Sequence, residues 1–202
     1  MSTGELDVRP LRKPDKHPAI FQAYDALAAG ESFVLVINHD PRHLRDEFDT
    51  EHPGSHRWDY LDRGPAIWRI RISKLTAAAL PRILCDTTTA AAAENDPDAA
   101  GAVWTLSTRR RDLDSNIIRL RPGTGIEPHT GPDLDVLVLA LAGTGRIVTE
   151  TDPLDLQPGT LVWLPRRSRR GFTAGPDGVS YLTVHQRRQA LVLDPPPEAT
   201  GR

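Results

Sequence analysis

The feature that most restricts the fold of this chain is a series of short apolar runs between residues 122 and 172. Val- and Leu-rich runs of this length, separated by glycine and proline, are typical of strands that are buried on both faces. The clearest run covers residues 134–143, and Pro158 and Gly159 open the next one with a turn. Several such strands at this spacing predict a small antiparallel barrel or jelly roll.

Two spaced motifs in this region resemble those of the cupin family. The first cupin motif starts with a glycine, continues through a histidine pair and a glutamate, and ends on a second glycine. Gly123, His129 and Gly143 stand at matching positions. The second motif is matched by Gly159 and Pro165. The resemblance implies a cupin-type β-barrel with jelly-roll topology in this part of the chain.

Three of the four metal-ligand positions of the cupin motifs hold other residues in this sequence. Gly131 stands at the second histidine, Val136 at the glutamate and Arg170 at the histidine of the second motif. In metal-binding cupins these side chains, together with the one at the position of His129, hold a single divalent ion. The resemblance therefore implies the fold without the metal, and we expect neither a metal site nor a cofactor. Should a metal bind, it would be one divalent ion near His129.

The slot that Arg170 occupies in the cupin pattern points inward and suits an anion. A guanidinium group is always protonated and only donates hydrogen bonds, so it holds a carboxylate or phosphate but not a divalent cation. His129 lies opposite it in the pattern, and Val136 and Val138 supply an apolar lining. These residues predict a pocket for a small organic anion.

Two questions about this pocket stay open at the level of sequence. Arg170 either binds a ligand or pairs with Asp133 or Asp135 at the mouth and closes an empty barrel. Tyr181 and His185 share one face of the last long strand, and that face either lines the cavity or faces water. We count both residues among the candidate ligand-binding side chains.

The first part of the chain predicts a second, smaller fold. Ile20, Phe21 and Tyr24 form one apolar face of a helix, and residues 33–37 form a strand that is buried on both faces. Residues 62–65 join two further strands as a hairpin. The predicted order is βαβαββ, a two-layer sandwich of two helices on a four-stranded sheet.

This region resembles the family called domain of unknown function 2249. The phrases at residues 17–21, 38–41 and 64–71 carry the resemblance. The family's fold is similar to that of sulfur-carrier proteins of the TusA/SirA type, which use a Cys-Pro pair after the first strand. This chain has residues 11–14, Leu-Arg-Lys-Pro, at that place and no cysteine in the domain, so sulfur relay is not expected.

His17 and His39 form a second candidate site. Each lies near the start of a predicted helix, and both helix starts are expected near one end of the sheet. The two side chains would then converge on a metal or an anion. The alternative is that each histidine completes the hydrogen bonds of its own turn.

The chain is expected to contain two domains that are joined by a linker. Alanine and threonine dominate the sequence over residues 75–101, where sustained periodicity ends and Pro81 and Pro97 interrupt the chain. The expected ranges are 5–74 for the TusA/SirA-like domain, 75–101 for a linker that allows short helices, and 102–193 for the cupin-like β-barrel. The fold class is α+β.

Composition excludes some partners and leaves two functions open. A formal net charge of −2 gives no bias toward nucleic acid or membrane, and no apolar run approaches the length of a membrane span. We expect a cytoplasmic protein, and the sequence leaves a homodimer open. The function we expect is non-enzymatic binding or sensing of a small molecule, of the organic-anion class. The alternative is a metal-dependent cupin enzyme of the oxygenase or isomerase type with non-standard ligands.

Overall fold

The continuous apolar run of the first part forms a strand, β2 (Ser32–Ile37), in which every residue is buried. The computed structural model describes residues 2–92 and 100–187. The chain divides into two units, Met1–Ile83 and Leu84–Arg202. With two sheets and few helices in the described residues, the protein is an α+β, β-rich protein, as the sequence predicted.

The first unit contains four strands and two helices among its described residues. In chain order these are β1 (Ser2–Asp7), α1 (Lys13–Ala26), β2 (Ser32–Ile37), α2 (Arg42–Glu51), β3 (His56–Arg63) and β4 (Trp68–Lys74). The sheet has the order β1-β2-β4-β3, in which β1 and β2 are parallel and the other neighbours are antiparallel. Its core joins the apolar face of α1 to β2, β4 and the buried side of α2, where Leu44 and Phe48 lie.

The second unit is built on a seven-stranded sheet. Its elements are α3 (Thr87–Ala91), β5 (Gly101–Thr105), β6 (Leu113–Leu120), β7 (Gly125–Thr130), β8 (Val136–Val148), β9 (Leu154–Leu156), β10 (Leu161–Leu164) and β11 (Arg169–Gln186). The main path of the sheet is β10-β8-β11-β6-β5, with β7 paired to β11 and β9 paired to β8. The two long strands, β8 and β11, are antiparallel neighbours at its centre.

The β8–β11 ladder folds back on itself near its middle. The register shifts between Ala174 and Val179, where glycines allow a close backbone approach, and Gly143 has a φ of +68°. Phe172 and Tyr181 lie on opposite sides of this shift, yet their rings stack with centroids 4.8 Å apart. In a straight strand, nine residue steps would separate them by about 30 Å. The bend therefore brings the two halves of the ladder face to face around one apolar core.

A short helix occupies part of the segment that the sequence treats as a linker. The C-terminal carbonyl groups of α3 are held by the sheet of the second unit. Ser180 donates a hydrogen bond to the carbonyl oxygen of Ala91 at 3.1 Å, and the guanidinium of Arg119 donates to those of Ala90 and Ala92. These bonds satisfy helix-end acceptors that would otherwise lack partners, so α3 is fastened to the second unit.

No helix in the described ranges combines the length and the apolar character that crossing a membrane requires.

Candidate functional site

Arg170 is one of two buried arginines in the described part of the second unit, the other being Arg119. Arg170 lies at the start of β11 and is 4% exposed. Its Nη1 donates to Ser168 Oγ at 2.9 Å and to the carbonyl oxygen of Pro165 at 3.3 Å. Burial lowers the pKa of Arg170, but from an ordinary value so high that the guanidinium stays charged near neutral pH.

Gly131 makes room for this guanidinium. A Cβ atom on residue 131 would lie under 3.0 Å from the Cζ, Nη1 and Nη2 atoms of Arg170, closer than real Cβ contacts allow. The backbone of Gly131 is fixed beside it, because its N–H donates to the carbonyl oxygen of Ser168 at 3.0 Å. Because Gly131 has no side chain, it leaves the space that the guanidinium of Arg170 occupies. Both residues stand at ligand positions of the cupin motifs.

The ion pair that the sequence allowed for Arg170 is not formed. Asp133 instead accepts two hydrogen bonds from Arg167, at 3.1 and 2.8 Å. Asp135 accepts one from the backbone N–H of Arg166 at 2.9 Å. Within residues 2–92 and 100–187, Arg170 has neutral oxygen acceptors and no carboxylate partner. No carboxylate of the described residues therefore compensates this buried positive charge, an arrangement that is unfavourable by itself.

Part of the guanidinium remains available to a ligand. Among the described residues the hydrogen bonds of Arg170 use only Nη1, which leaves Nε and Nη2 without an acceptor there. Nε and Nη2 lie side by side in a guanidinium, in the arrangement that suits the two oxygens of a carboxylate.

His129 lies beside Arg170 but is not buried with it. The two residues are cross-strand partners on β7 and β11, so their side chains leave the same face of the sheet. His129 is exposed, and its Nδ1 donates to the carbonyl oxygen of Glu127 at 2.9 Å. This bond leaves Nε2 as the free ring nitrogen at the rim of the site.

The apolar residues predicted to line the pocket are in the core. Val136 is 8% exposed and Val138 is fully buried, and both belong to the cluster that contains Phe172 and Tyr181. Burial strongly raises the pKa of Tyr181. Its side chain is fully buried and its hydroxyl forms no hydrogen bond with any described residue, so it is a second polar group in the interior of the unit.

The register of β8 and β11 answers the question about the last long strand. Tyr181 pairs with Ala140 and His185 pairs with Val136, so Tyr181 and His185 share the face of β8 that carries Val136 and Val138. Tyr181 is buried, whereas His185 is half-buried and its Nδ1 donates to the carbonyl oxygen of Gln186 at 2.9 Å. The face is therefore interior at Tyr181 and reaches the rim at His185.

The side chains at the cupin ligand positions do not fit a divalent metal. Gly131 offers no side chain, Val136 offers no donor atom, and Arg170 places a positive charge where the ion would lie. In the part of the chain that the structure describes, no three His, Cys, Asp or Glu side chains are grouped as metal ligands would be. The residues present contradict the metal centre of the family pattern.

The two histidines proposed as a second site have separate partners. His17 Nδ1 lies 3.0 Å from Glu47 Oε1, which joins α1 to α2. His39 Nδ1 lies 2.9 Å from Asn38 Oδ1, next to it in the chain, and its side chain is exposed. Each histidine thus has its own partner, and no interaction among the described residues links the two.

Sequence reasoning did not identify Ser168 and Pro165 as partners of Arg170. Both belong to the turn between β10 and β11, in which Ser168 N and Oγ bond back to the carbonyl oxygen of Pro165 at 3.1 and 2.8 Å. Arg167 has a φ of 60° in this turn. A proline followed three residues later by a serine is a recognisable turn signal, but it does not reveal that the arginine two positions on folds back over it.

Residues 5–74 match the sequence model of the family described as uncharacterized conserved protein (DUF2249). This match confirms the resemblance found for the first part of the chain. No curated protein matches the sequence.

Parts of the chain are similar to solved structures. The polyketide cyclase RemF from Streptomyces resistomycificus is 18% identical over 43% of this chain and 65% of its own, with a TM-score of 0.37. An RmlC-like cupin protein from Desulfovibrio desulfuricans is 13% identical over 41% of this chain and 77% of its own, with a TM-score of 0.36. A cupin protein from Bacteroides fragilis is 19% identical over 49% of this chain and 87% of its own, with a TM-score of 0.38.

Proposed function

We propose that the protein binds or senses a small organic anion, without catalysing a reaction, through Arg170 in its second unit. The observation that carries this proposal is a guanidinium that is 4% exposed and has no carboxylate partner among the described residues. An isolated buried charge is among the costliest features a fold can retain. A ligand that supplies the missing negative charge accounts for its presence.

The surroundings of Arg170 favour an organic anion over an inorganic one. The core beside it is apolar, with the stacked rings of Phe172 and Tyr181 and the side chain of Val138. Apolar walls favour binding by burying the hydrocarbon part of a ligand. Arg170 and the hydroxyl of Tyr181 would orient its polar end. A carboxylate with a short aliphatic or aromatic body satisfies both requirements.

The same proposal includes the finer architecture of the chain. We infer that the second unit is a closed cupin-type barrel with jelly-roll topology, and that the first is a two-layer βαβαββ sandwich over residues 5–74. The fold-back of the β8–β11 ladder at the Phe172–Tyr181 stack supports closure of the barrel.

The test is a binding measurement on the full chain with defined anions. Wild-type protein is titrated calorimetrically with benzoate, succinate and inorganic phosphate, and the titrations are repeated with Arg170→Met. The matched control is Arg169→Met, which removes the same charge from the exposed neighbouring side chain. We expect a carboxylate to bind the wild type and Arg169→Met, and to bind Arg170→Met at least tenfold more weakly.

Two outcomes contradict the proposal. If Arg170→Met binds as well as Arg169→Met, the anion is held elsewhere. If protein produced without a polyhistidine tag carries a stoichiometric divalent metal, the metal-dependent cupin enzyme becomes the better account of the second unit.

A further inference from the structure

The outer face of the sheet in the second unit carries two rows of mostly apolar side chains. Residues that pair directly across adjacent strands lie side by side on one face of a sheet, so each row follows from the register. Both rows cross β10, β8, β11 and β6 in that order. The first row contains Leu161, Leu139, Leu182 and Ile117, and the second contains Trp163, Leu137, Val184 and Ser115. Ser115 is the one polar residue in the two rows, and none of the eight residues is charged.

These rows lie on the side of the sheet that faces away from the apolar core. The core residues Val136 and Val138 alternate along β8 with the residues of the rows, and Tyr181 alternates with them along β11. The rows therefore do not line the site around Arg170.

One part of this outer face is covered by the chain itself. Ser180 and Arg119 lie on the same face as the rows, two positions along β11 and β6 from Leu182 and Ile117. Both side chains donate hydrogen bonds to carbonyl oxygens at the end of α3. The helix packs against β5, β6 and β8, and Ile117 is fully buried. The fold thus uses α3 to cover the β6 side of this face.

The part of the face on β8 and β10 is not covered in the same way. Leu161 is 64% exposed, Trp163 60% and Leu137 44%. A single exposed leucine is ordinary, but a contiguous exposed apolar patch indicates a surface that binds a partner. Together with the half-buried members of the two rows, these side chains expose on the order of 400 Å² of apolar surface.

Strand β10 also stands at the edge of the sheet. Among the described strands its only neighbour is β8, with which it pairs without a register shift. Edge strands commonly avoid other chains by carrying a charged residue, a proline or a bulge, and residues 161–164 have none of these. The sequence of β10 therefore does not oppose the approach of another chain to this side of the sheet.

A second copy of this chain is the partner that these features fit. Since the rows carry no charge, a charged partner would lose the hydration of its ionic groups without gaining an ion pair there. A two-fold rotation brings an identical apolar face instead, with Ser115 as the one polar side chain in its rows. A standard interface buries about 800 Å² per partner, and homodimer interfaces are about 65% apolar. The exposed apolar surface, roughly 400 Å², is most of what one partner of such a dimer requires.

We propose that two copies of the protein associate through this outer face. β8 and β10 of one copy pack on β8 and β10 of the other about a two-fold axis, as two sheets do in a sandwich. Leu161 and Trp163 lose their exposure in this arrangement. The proposal does not depend on anion binding at Arg170.

The experiment measures the mass of the full chain by sedimentation equilibrium from roughly 1 to 300 μM, a range that covers micromolar dissociation constants. Leu161→Glu and Trp163→Glu each place a charge in the proposed interface twice per dimer. The matched control is Leu154→Glu, which makes the same change at an exposed leucine of β9, outside the two rows. Circular dichroism and thermal unfolding establish that each variant is folded. Trp163→Ser, which adds no charge, replaces any glutamate variant that does not fold.

We expect the average mass of the wild type and of Leu154→Glu to rise with concentration from the 22.3 kDa of one chain to twice that value and to level off there. Leu161→Glu and Trp163→Glu should remain at the mass of one chain, which corresponds to association that is at least about a hundredfold weaker. Trp163→Ser should weaken association by about tenfold or more.

Three results overturn the proposal. A wild-type chain that keeps the mass of one chain throughout shows that this face does not bind a second copy. A mass that continues to rise beyond two chains shows an open-ended association rather than a two-fold dimer. A dimer that persists unchanged in the folded interface variants shows that the copies meet through another surface.

Discussion

The guanidinium of Arg170 fills the space in which a side chain of residue 131 would lie, and residue 131 is glycine. The two residues occupy positions that hold metal ligands in the cupin pattern. Their contact links the two departures from that pattern, because a side chain at residue 131 would require the guanidinium of Arg170 to move. The site thus accommodates the positively charged guanidinium of Arg170.

This contact predicts strong coupling between residues 131 and 170. Gly131→Ala should destabilise the protein by about 1–3 kcal/mol, since the new Cβ must displace a buried guanidinium. The same substitution in an Arg170→Ala background should have a much smaller effect, because the overlapping group is gone. A double-mutant cycle from urea unfolding measures the coupling. Additive effects of the two substitutions would show that Arg170 moves aside without cost.

Removal of the buried charge should stabilise the ligand-free protein. Arg170→Met keeps much of the side-chain volume but leaves no unpaired cation in the core, so we expect the free energy of unfolding to rise by about 1 kcal/mol or more. Arg169→Met, on the exposed neighbour, should change it by less than about 0.5 kcal/mol. Chemical unfolding without added anion checks both values. A clear destabilisation by Arg170→Met would mean that the hydrogen bonds to Ser168 and Pro165 outweigh the burial of the charge.

The buried Tyr181 predicts a loss of stability at alkaline pH. Its pKa is raised in the folded state by burial, so above about pH 10 the unfolded chain loses this proton while the folded chain keeps it. The contribution of Tyr181 is thus fully present below about pH 10 and is lost as the pH rises toward the folded pKa, by about 1.4 kcal/mol per pH unit. Tyr181→Phe lacks this proton and serves as the reference. Parallel stability curves for the two proteins above pH 10 would show that the ring titrates normally.

The segment between the two units is expected to be the first site of proteolysis. Residues 75–86 have no regular helix or strand, and Ile83 is 91% exposed. Thermolysin, which cleaves before large apolar residues, should cut at Ile83 or Leu84 and release fragments that correspond to the two units. Circular dichroism of each purified fragment then reports whether it is folded. First cuts inside β8 or β11 would argue against two independently stable units.

The sequence predicted most of what depends on local periodicity. Alternation along a strand is set by residues two apart, which is why Val136 with Val138 and Tyr181 with His185 could be placed on shared faces. The continuous apolar run of β2 was equally readable, because burial on both faces leaves no polar positions.

Contacts between segments that are far apart in the chain could not be predicted from the sequence pattern. The contact of Gly131 with Arg170 depends on the turn at Pro165 and on the bend that stacks Phe172 on Tyr181. Each is decided by backbone geometry far from the residues concerned. The pairing of Arg63 with Trp68 depends on one extra residue in β3, and a single-residue bulge leaves little trace in an apolar pattern.

The packing of Arg170 on Gly131 also limits which single substitutions could introduce a metal ligand at these two positions. A histidine at position 131 would overlap the guanidinium of Arg170. A histidine at position 170 would leave a cavity beside Gly131, because it is smaller than arginine. Each single substitution is unfavourable, and neither produces a metal site. The effects of substitutions at the two positions are therefore expected to be coupled, and a metal site here would need several replacements together rather than one.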